Sequence, residues 1–270
     1  MIEIKFIDLS IPIMDYDEAI YDPAPYAPHI TYKDHKRGGL EMGILYPRLK
    51  PEKYLPDGGA WAAEDITLST HSGTHMDAPW HYGPTQDKEL EEKKSLTIDE
   101  FPLEWGIGPL VVLDVSDLED GYVMKPNDID KKLEEINYKL KEGDILCIHT
   151  IAPNFAGTNE YLQHGVGVGR EATLHIVRQG VHVVGTDAWT WDAPFVYTAK
   201  RWKASVKGKE PNPSIIWEGH FAGIELGYFQ MEKMINLDKV PSIGATIYCF
   251  PIKVARASAG WVRAVATIPE

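Results

Sequence analysis

The apolar positions of the chain first predict a series of strands. Nearly continuous apolar runs bounded by turn residues are typical of buried strands, and the runs at 108–114, 144–150 and 181–185 have this form. Regular alternation of apolar with polar residues is typical of strands with only one buried face. On this basis, we predict further strands at 2–9, 65–70, 244–253 and 260–268.

Apolar residues at helical spacing predict two principal helices. The first covers 126–140 and begins at a proline, with aspartates in its first turn. The second covers 169–180 and ends at a glycine. Shorter helices are predicted at 97–101 and 231–234. Because strands and helices alternate and no linker or repeat interrupts them, we predict one α/β domain over 1–270.

Residues 14–60 break this pattern and form a Pro/Tyr-rich arm. The segment is rich in proline and tyrosine: Pro23, Pro25, Pro28, Pro47, Pro51, Pro56, Tyr16, Tyr21, Tyr26, Tyr32, Tyr46 and Tyr54. Such a composition disfavours regular helices. Long connections in compact domains are usually functional. The arm is therefore expected either to cover a substrate or to contact another subunit, and both alternatives stay open.

The composition and net charge of the chain exclude two classes of binding partner. The 270 residues are 44% hydrophobic and carry a net charge of −13, with no basic patch, so nucleic acid and anionic membranes are not expected partners. No apolar stretch approaches the length of a transmembrane helix. Cys147 and Cys249 lie in apolar, strand-like contexts, which predicts buried thiols in a reducing cytoplasm.

The stretch 71–81 carries the densest candidate chemistry. It holds four ionisable side chains at odd-numbered positions: His71, His75, Asp77 and His81. In an extended chain such positions share one side. The extended stretch would span roughly 33 Å, far too long to surround one ion, so bends are expected at Gly73 and Pro79.

Three histidines and one carboxylate indicate a metal site. Imidazole and carboxylate suit zinc, manganese or iron. The alternative is a polar loop whose histidines are satisfied by hydrogen bonds. The shared parity of all four side chains favours the metal.

The same stretch resembles the signature His-x-Gly-Thr-His-x-Asp-x-Pro-x-His of the cyclase family of metal-dependent hydrolases, which includes bacterial kynurenine formamidases and isatin hydrolases. The resemblance extends through 185–192 to 258–263 and is weakest at 14–60. It implies a mixed, barrel-like sheet flanked by helices, in the manner of a swivelling β/β/α fold. It also implies a small-molecule substrate and a homodimer or homotetramer.

The resemblance also extends the set of ligands. His220 and Glu232 match the family's later metal ligands, and they imply a second ion bridged to the first by Asp77. A single ion at His71, His75 and Asp77 is the alternative, with zinc or manganese in either case. His81 is then free to act as general acid or base, because imidazole titrates near neutrality.

The implied reaction is hydrolysis of a small cyclic or aryl amide, with esters or lactones as further possibilities. A metal-activated water attacks the carbonyl while His81 moves the proton. Trp80 and Trp191 are possible substrate contacts, and Asp187 is a possible support for a ligand histidine. No Gly-x-Ser-x-Gly motif indicates a serine hydrolase.

Two other classes of protein remain possible. His75, Asp77 and His220 have the composition of a non-haem iron oxygenase site, although that assignment leaves His71, His81 and Glu232 unexplained. A non-catalytic metal-binding protein is the other alternative. Structural zinc sites usually include cysteine, however, and neither cysteine is near the motif.

Overall fold

The computed structural model describes residues 3–207 and 210–269. Its strands are β1 (Ile4–Asp8), β2 (His29–Lys33), β3 (Ala63–Thr67), β4 (His75–Asp77), β5 (Thr85–Gln86), β6 (Lys93–Lys94), β7 (Ile107–Asp114), β8 (Val123–Met124), β9 (Ile145–His149), β10 (Gly167–Val168), β11 (Val183–Thr186), β12 (Phe229–Glu232), β13 (Ala245–Tyr248), β14 (Ala259–Trp261) and β15 (Val265–Pro269). Its α-helices are α1 (His35–Leu45), α2 (Pro51–Tyr54), α3 (Pro79–Tyr82), α4 (Pro126–Glu135), α5 (Arg170–Val177), α6 (Phe195–Ser205) and α7 (Glu218–Glu225).

Within the described residues, nine strands form one mixed sheet in the order β1-β15-β13-β7-β9-β11-β12-β4-β14. The four central strands β7, β9, β11 and β12 are parallel to one another, and the flanking pairs are antiparallel. Each parallel connection needs a crossover. The alternation of strands and helices in the sequence therefore predicted this part of the sheet correctly.

The sheet is curled, and its connections require it. If the sheet were flat, β14 and β15 would lie about 34 Å apart, at about 4.8 Å per strand. Only residues 262–264 join them, and so short a segment reaches at most about 14 Å. The two ends of the sheet must therefore approach each other, which confirms the predicted barrel-like α/β core.

Alternate residues of the central strands enter two apolar layers. Val111 and Leu113 of β7 lie with the buried faces of α4 and α5, whereas Leu110 and Val112 lie with Met76 on the other side. Two buried layers explain why these strands have continuous apolar sequences instead of alternating ones. Both cysteines are buried and free, as predicted.

Two predictions of local structure were wrong. Residues 231–234 were predicted to be helical, but 229–232 form β12, because Phe229 and Met231 alternate with Gln230 and Glu232 and the segment pairs with β4 and β11 in the sheet. Regular helices were disfavoured in 14–60, yet α1 has eleven residues. The prolines of that segment lie outside 29–46, and the carboxylate of Asp34 caps α1 by accepting from the backbone N–H of Arg37.

Other boundaries differ modestly from the predictions. The helix predicted at 126–140 ends at Glu135, and Asn137 follows with a positive φ of 50°. The strand predicted at 65–70 is present as β3, but its residues are mostly exposed. The strand predicted at 260–268 is two strands, β14 and β15. Among the described residues, no helix is both long and apolar enough to span a bilayer.

Candidate metal centre

The pairing of β4 with β12 assembles the centre of the site. The antiparallel register places Glu232 opposite His75 and Gln230 opposite Asp77. Side chains two residues apart on a strand share a face, so all four point to one side of the sheet. All four are buried. Met76 and Met231, at the intervening positions, belong to the apolar core on the other side.

The turn before β4 sets the orientation of the first two histidines. Gly73 has a φ of +64°, a left-handed conformation that glycine adopts without strain, and its carbonyl lies 2.9 Å from His75 Nδ1. A carbonyl only accepts, so Nδ1 of His75 carries a proton, and in the neutral ring Nε2 then has a free lone pair. His71 Nε2 lies 3.0 Å from the hydroxyl of Ser258. His71 Nδ1 therefore faces Asp77, 2.8 Å from Oδ1.

Two buried atoms at the centre have lost their solvation without gaining a partner. His75 Nε2 and Asp77 Oδ1 lie 3.2 Å apart, and among the described residues neither has a hydrogen-bond partner. A lone pair facing a carboxylate oxygen is unfavourable unless a cation lies between them. Glu232 Oε2 lies 3.7 Å from His75 Nε2, which adds a third donor atom. His71 Nδ1 approaches Asp77 Oδ1 to 2.8 Å but not in hydrogen-bond geometry, so it does not satisfy that oxygen. The donors His75, Asp77 and Glu232 therefore fit a divalent ion.

The electrostatics of Asp77 agree with this arrangement. Burial alone would raise the pKa of Asp77, but the surrounding imidazole groups of His75, His81 and His71 and the hydrogen bond from His220 outweigh burial and hold that pKa well below its usual value. Asp77 is consequently an anion within the sheet. Its Oδ1 faces His71 and His75, and its Oδ2 faces His81 and His220.

His81 lies at the open side of the centre, on the single turn of α3 that begins at Pro79. Its Nε2 is 4.0 Å from Asp77 Oδ2, and its ring centroid is 4.1 Å from that of His71. His71, Asp77 and His81 form a second group of donors that could hold an ion. Burial lowers the pKa of His81 to about 3, although Asp77 opposes the shift. With this pKa the ring is neutral at pH 7.

His220 approaches from α7 on the far side of Asp77. Its Nδ1 lies 2.5 Å from Asp192 Oδ2, and its ring stacks on Trp217 at 4.4 Å. Its Nε2 faces the side-chain amide of Gln230 at 2.9 Å, and among the described residues it belongs to neither donor group above. Burial lowers the pKa of His220, but hydrogen bonds to Asp192 and Asp77 outweigh burial and raise it to about 10.

The remaining predicted residues lie around this centre in different roles. Trp191 is buried, and its backbone N–H donates to Glu232 Oε1 at 2.9 Å. Asp187 supports a histidine, but that histidine is His149, at 2.6 Å. The side chain of Trp80 is 39% exposed and lies under the ammonium group of Lys94.

Four residues of the site did not emerge from the sequence: Asp192, Trp217, Gln230 and Ser258. Gln230 lies two residues before Glu232, so strand parity would have identified it if 229–232 had been predicted as a strand. Asp192 and Ser258 lie in the segments 185–192 and 258–263 to which the resemblance extends, but no spacing rule links either residue to a histidine. Trp217 had no sequence signal that we can name.

An apolar cavity of about 270 Å³ adjoins this side of the centre. It is lined by Asp192, Phe195, Thr198, Ile216 and Trp217. The Trp217 ring also contacts His81, with the ring centroids 5.0 Å apart. The Trp217 ring therefore lines the cavity and also contacts His81 and His220.

The fold and the site define a metal-binding α/β protein whose ligands come from a sheet and its adjoining turns. The chain belongs to the cyclase family: the family model described as Putative cyclase matches residues 7–193, more than half of the chain. The matched range includes His71, His75, Asp77 and His81 and ends before His220.

Two relatives illustrate the resemblance in sequence. An isatin hydrolase of Roseibium aggregatum is 26% identical over 235 residues, which cover 82% of this chain and 80% of that protein. A kynurenine formamidase of Salinibacter ruber is 25% identical over 204 residues, covering 74% of this chain and 77% of that protein. The names of both relatives describe hydrolases, which supports hydrolase as the class of this protein.

Solved structures confirm the fold. An isatin hydrolase bound to the product analogue thioisatinate superposes with a TM-score of 0.71 at 20% identity, covering 99% of this chain and 94% of that one. A potential metal-dependent hydrolase with cyclase activity superposes with a TM-score of 0.64 at 18% identity, covering 99% of this chain and all of that one. At sequence identities this low, the superpositions establish a shared fold and no more.

Proposed function

We propose that the protein is a metal-dependent hydrolase that cleaves the C–N bond of a small aryl or cyclic amide. The observation that carries the proposal is the pair of buried, unpartnered atoms His75 Nε2 and Asp77 Oδ1, 3.2 Å apart. His71, His75, Asp77 and Glu232 would hold the ion. When bound, a divalent cation polarises a carbonyl group and lowers the pKa of a coordinated water toward about 7.

The donor set is compatible with zinc or manganese. The donors are imidazole nitrogens and carboxylate oxygens, which both metals accept, and neither cysteine is among them. The two buried free thiols also fit the reducing cytoplasm that we propose as the location of the protein.

His81 is our proposed general acid and base. The ring is neutral, as a base must be, and it lies on the side of the site that Trp217 shares with the apolar cavity. It can accept a proton during attack on the carbonyl and return it to the leaving nitrogen. Because its pKa is well below neutrality, the proton would be held only briefly.

The cavity supports an aryl substrate. Trp217, Phe195 and Ile216 provide apolar walls that a planar ring could contact, and the Asp192 side chain is already paired with His220. Aromatic rings stack favourably against such walls. A small neutral amide with a ring is therefore the class of substrate that the site fits best.

The oxygenase alternative has less geometric support. It needs His75, Asp77 and His220 on one ion, whereas among the described residues His220 belongs to neither group of donors that could hold one. An oxygenase would consume O₂ in proportion to product, and a hydrolase would not.

A substrate screen tests the proposed function. Protein loaded separately with zinc and manganese would be assayed against N-formylkynurenine, isatin, lactones and cyclic imides. We expect turnover of at least one amide, its loss on treatment with a chelator and its recovery on adding metal back. Turnover that persists in metal-free protein, or that requires O₂, would contradict the proposal.

A further inference from the structure

We infer that Trp217 is a specificity-determining residue of the site, and that its strained backbone conformation holds the indole ring beside His81. The inference rests on the proposed hydrolysis of an aryl amide and names the residue that discriminates the ring of the substrate. Trp217 immediately precedes α7, the helix that carries His220. Its side chain lines the apolar cavity next to the metal centre.

The backbone of Trp217 lies in the left-handed region. Its φ is 53° and its ψ is 40°, a conformation that is uncommon for any residue except glycine and unusual for a bulky one. The Cβ atom then lies too close to the following carbonyl oxygen, so the conformation is strained. Strained residues persist where the surrounding structure holds them in place, and they cluster at functional sites.

Trp217 also occupies the N-cap position of α7 without capping the helix. An N-cap residue normally has an extended backbone and a side chain that accepts from the second or third backbone N–H of the helix. Trp217 has neither property. Asp192 supplies the acceptor from a distant segment, since its carboxylate accepts from the backbone N–H of Gly219 at 2.8 Å and from that of His220 at 3.2 Å. Helix α7 therefore needs no capping side chain at position 217, which leaves that position free for an indole.

Neighbouring rings fix the position of the indole. It stacks on His220 with the ring centroids 4.4 Å apart and the planes 11° apart, and its centroid lies 5.0 Å from that of His81. Phe221 meets it edge-on at 5.5 Å. Because the same indole lines the cavity, an aryl group bound there would contact it in an offset-stacked or edge-to-face arrangement, which aromatic pairs prefer.

A second aromatic residue in the cavity provides a comparison. Phe195 lies on α6 and is 52% exposed, so its ring is less constrained than the indole. A saturated ring can cover the same apolar area but gains no aromatic pairing. The Trp217 indole should therefore favour a planar aryl group over a saturated ring, and it should do so more strongly than Phe195.

Melting temperatures test whether the backbone is strained. Trp217→Gly should melt about 2–4 °C above Trp217→Ala, because both variants lose the indole but only alanine retains the steric cost of a positive φ. Arg256 has a φ of 59° on an exposed turn outside the cavity. Arg256→Gly should likewise melt above Arg256→Ala, with no change in ligand binding. An alanine variant at position 217 that is as stable as the glycine variant would overturn the inference.

Binding of two ketones tests the discrimination of the ring. Acetophenone and cyclohexyl methyl ketone have rings of equal size, one aromatic and one saturated, and neither has a C–N bond to cleave. NMR titration of zinc-loaded wild type should show tighter binding of acetophenone. Trp217→Leu should reduce this preference by about 2–12-fold, the effect of losing an aromatic pair, and Trp217→Phe should retain most of it. Trp217→Gly replaces the leucine variant if the latter does not fold.

Phe195→Leu is the matched control, and it should reduce the preference less than Trp217→Leu does. An unchanged preference in Trp217→Leu, or an equal reduction in both leucine variants, would overturn the inference. Since the ketones cannot be hydrolysed, this result is separate from the amide screen. A protein that cleaves no amide but loses its preference as expected would refute the proposed hydrolysis alone. An active amide hydrolase with an unchanged preference would refute the role of Trp217 alone.

Discussion

At the scale of single residues, His81 and His75 should be separable by mutation. His81→Ala should keep the metal but lower kcat by about 10²–10⁴-fold, because it removes a proton-transfer group. His75→Ala should lose both metal and activity, since Nε2 of His75 is a central donor atom. Metal content and kcat measured on the same preparations distinguish the two variants.

A histidine outside the site provides the control. His175 forms a surface pair with Asp130, and His175→Ala should retain both metal and activity. If His81→Ala releases the metal as readily as His75→Ala does, His81 is a ligand and the proton must be moved by another group.

His149 gives a prediction about pH. Its hydrogen bond to Asp187 at 2.6 Å raises the pKa of His149, although burial opposes the shift. Its protonated form therefore stabilises the fold fully below the unfolded value of about 6.5, and this stabilisation is lost as pH rises through the higher folded pKa. The difference in melting temperature between wild type and His149→Gln should be largest below about pH 6.5 and should shrink as the pH is raised above it. If the difference in melting temperature instead widened as pH rose, protonated His149 would not stabilise the fold.

At the scale of elements, a buried ion pair fastens the arm to the turn before β4. The ammonium group of Lys233 contacts Asp22 and lies 2.6 Å from the carbonyl of His71, while Asp22 accepts from the backbone N–H of Gly73. Lys233 and Asp22 are each about 2% exposed. The pair therefore joins residues 14–28, β12 and the metal-binding turn.

Removal of one side chain of the Lys233–Asp22 ion pair should lower the free energy of unfolding. Lys233→Met leaves the carboxylate of Asp22 buried without its counter-ion, which typically costs about 3–5 kcal/mol. Urea unfolding of metal-free protein measures this loss, and calorimetric titration should show weaker metal binding by the folded variant. Arg263→Met is the matched control, because its pair with Asp8 is exposed and contributes little to stability. Equal losses in the two variants would contradict a special role for Lys233.

The same elements show what the sequence could predict. The shared parity of His75 and Asp77 correctly placed both on one face, because a strand has a strict period of two. Residues 231–234 are predicted to be helical, whereas the alternation of apolar Phe229 and Met231 with polar Gln230 and Glu232 is that of the strand they form. That error concealed Gln230. The pairing of Asp192 with His220 depends on a contact between distant parts of the chain, which local patterns do not encode.

At the scale of the whole molecule, the chain exposes an unusually large surface. Its accessible area is 14327 Å², whereas a compact monomer of 30.3 kDa is expected to expose roughly 11,800 Å². Residues 29–67 account for much of the difference, since only Gly38 and Gly39 are buried among them. The excess, roughly 2,500 Å², is of the size that one subunit of an obligate dimer buries.

We propose that this arm packs against a second copy of the chain. Exposed apolar side chains occur along α1 and its flanking segments: Leu40, Ile44, Leu45, Tyr46, Tyr54 and Ile66. Contact with another subunit would bury these side chains and remove a large apolar surface from water. The same contact would hold the arm, and with it Asp22, near the metal-binding turn.

Substitution of Ile44 tests this assembly. The residue is 81% exposed in one chain, so Ile44→Asp should not disturb the fold of the subunit. In a dimer interface, a buried unpaired carboxylate costs at least about 1.4 kcal/mol, which raises the dissociation constant by about tenfold or more. Sedimentation equilibrium at micromolar concentrations should show a dimer or larger species for the wild type and a shift toward 30.3 kDa for the variant.

Leu90 is 77% exposed and outside the arm, so Leu90→Asp should associate as the wild type does. A wild type that sediments only as a monomer, or an Ile44→Asp variant that associates as tightly as Leu90→Asp, would rule out this role for the arm.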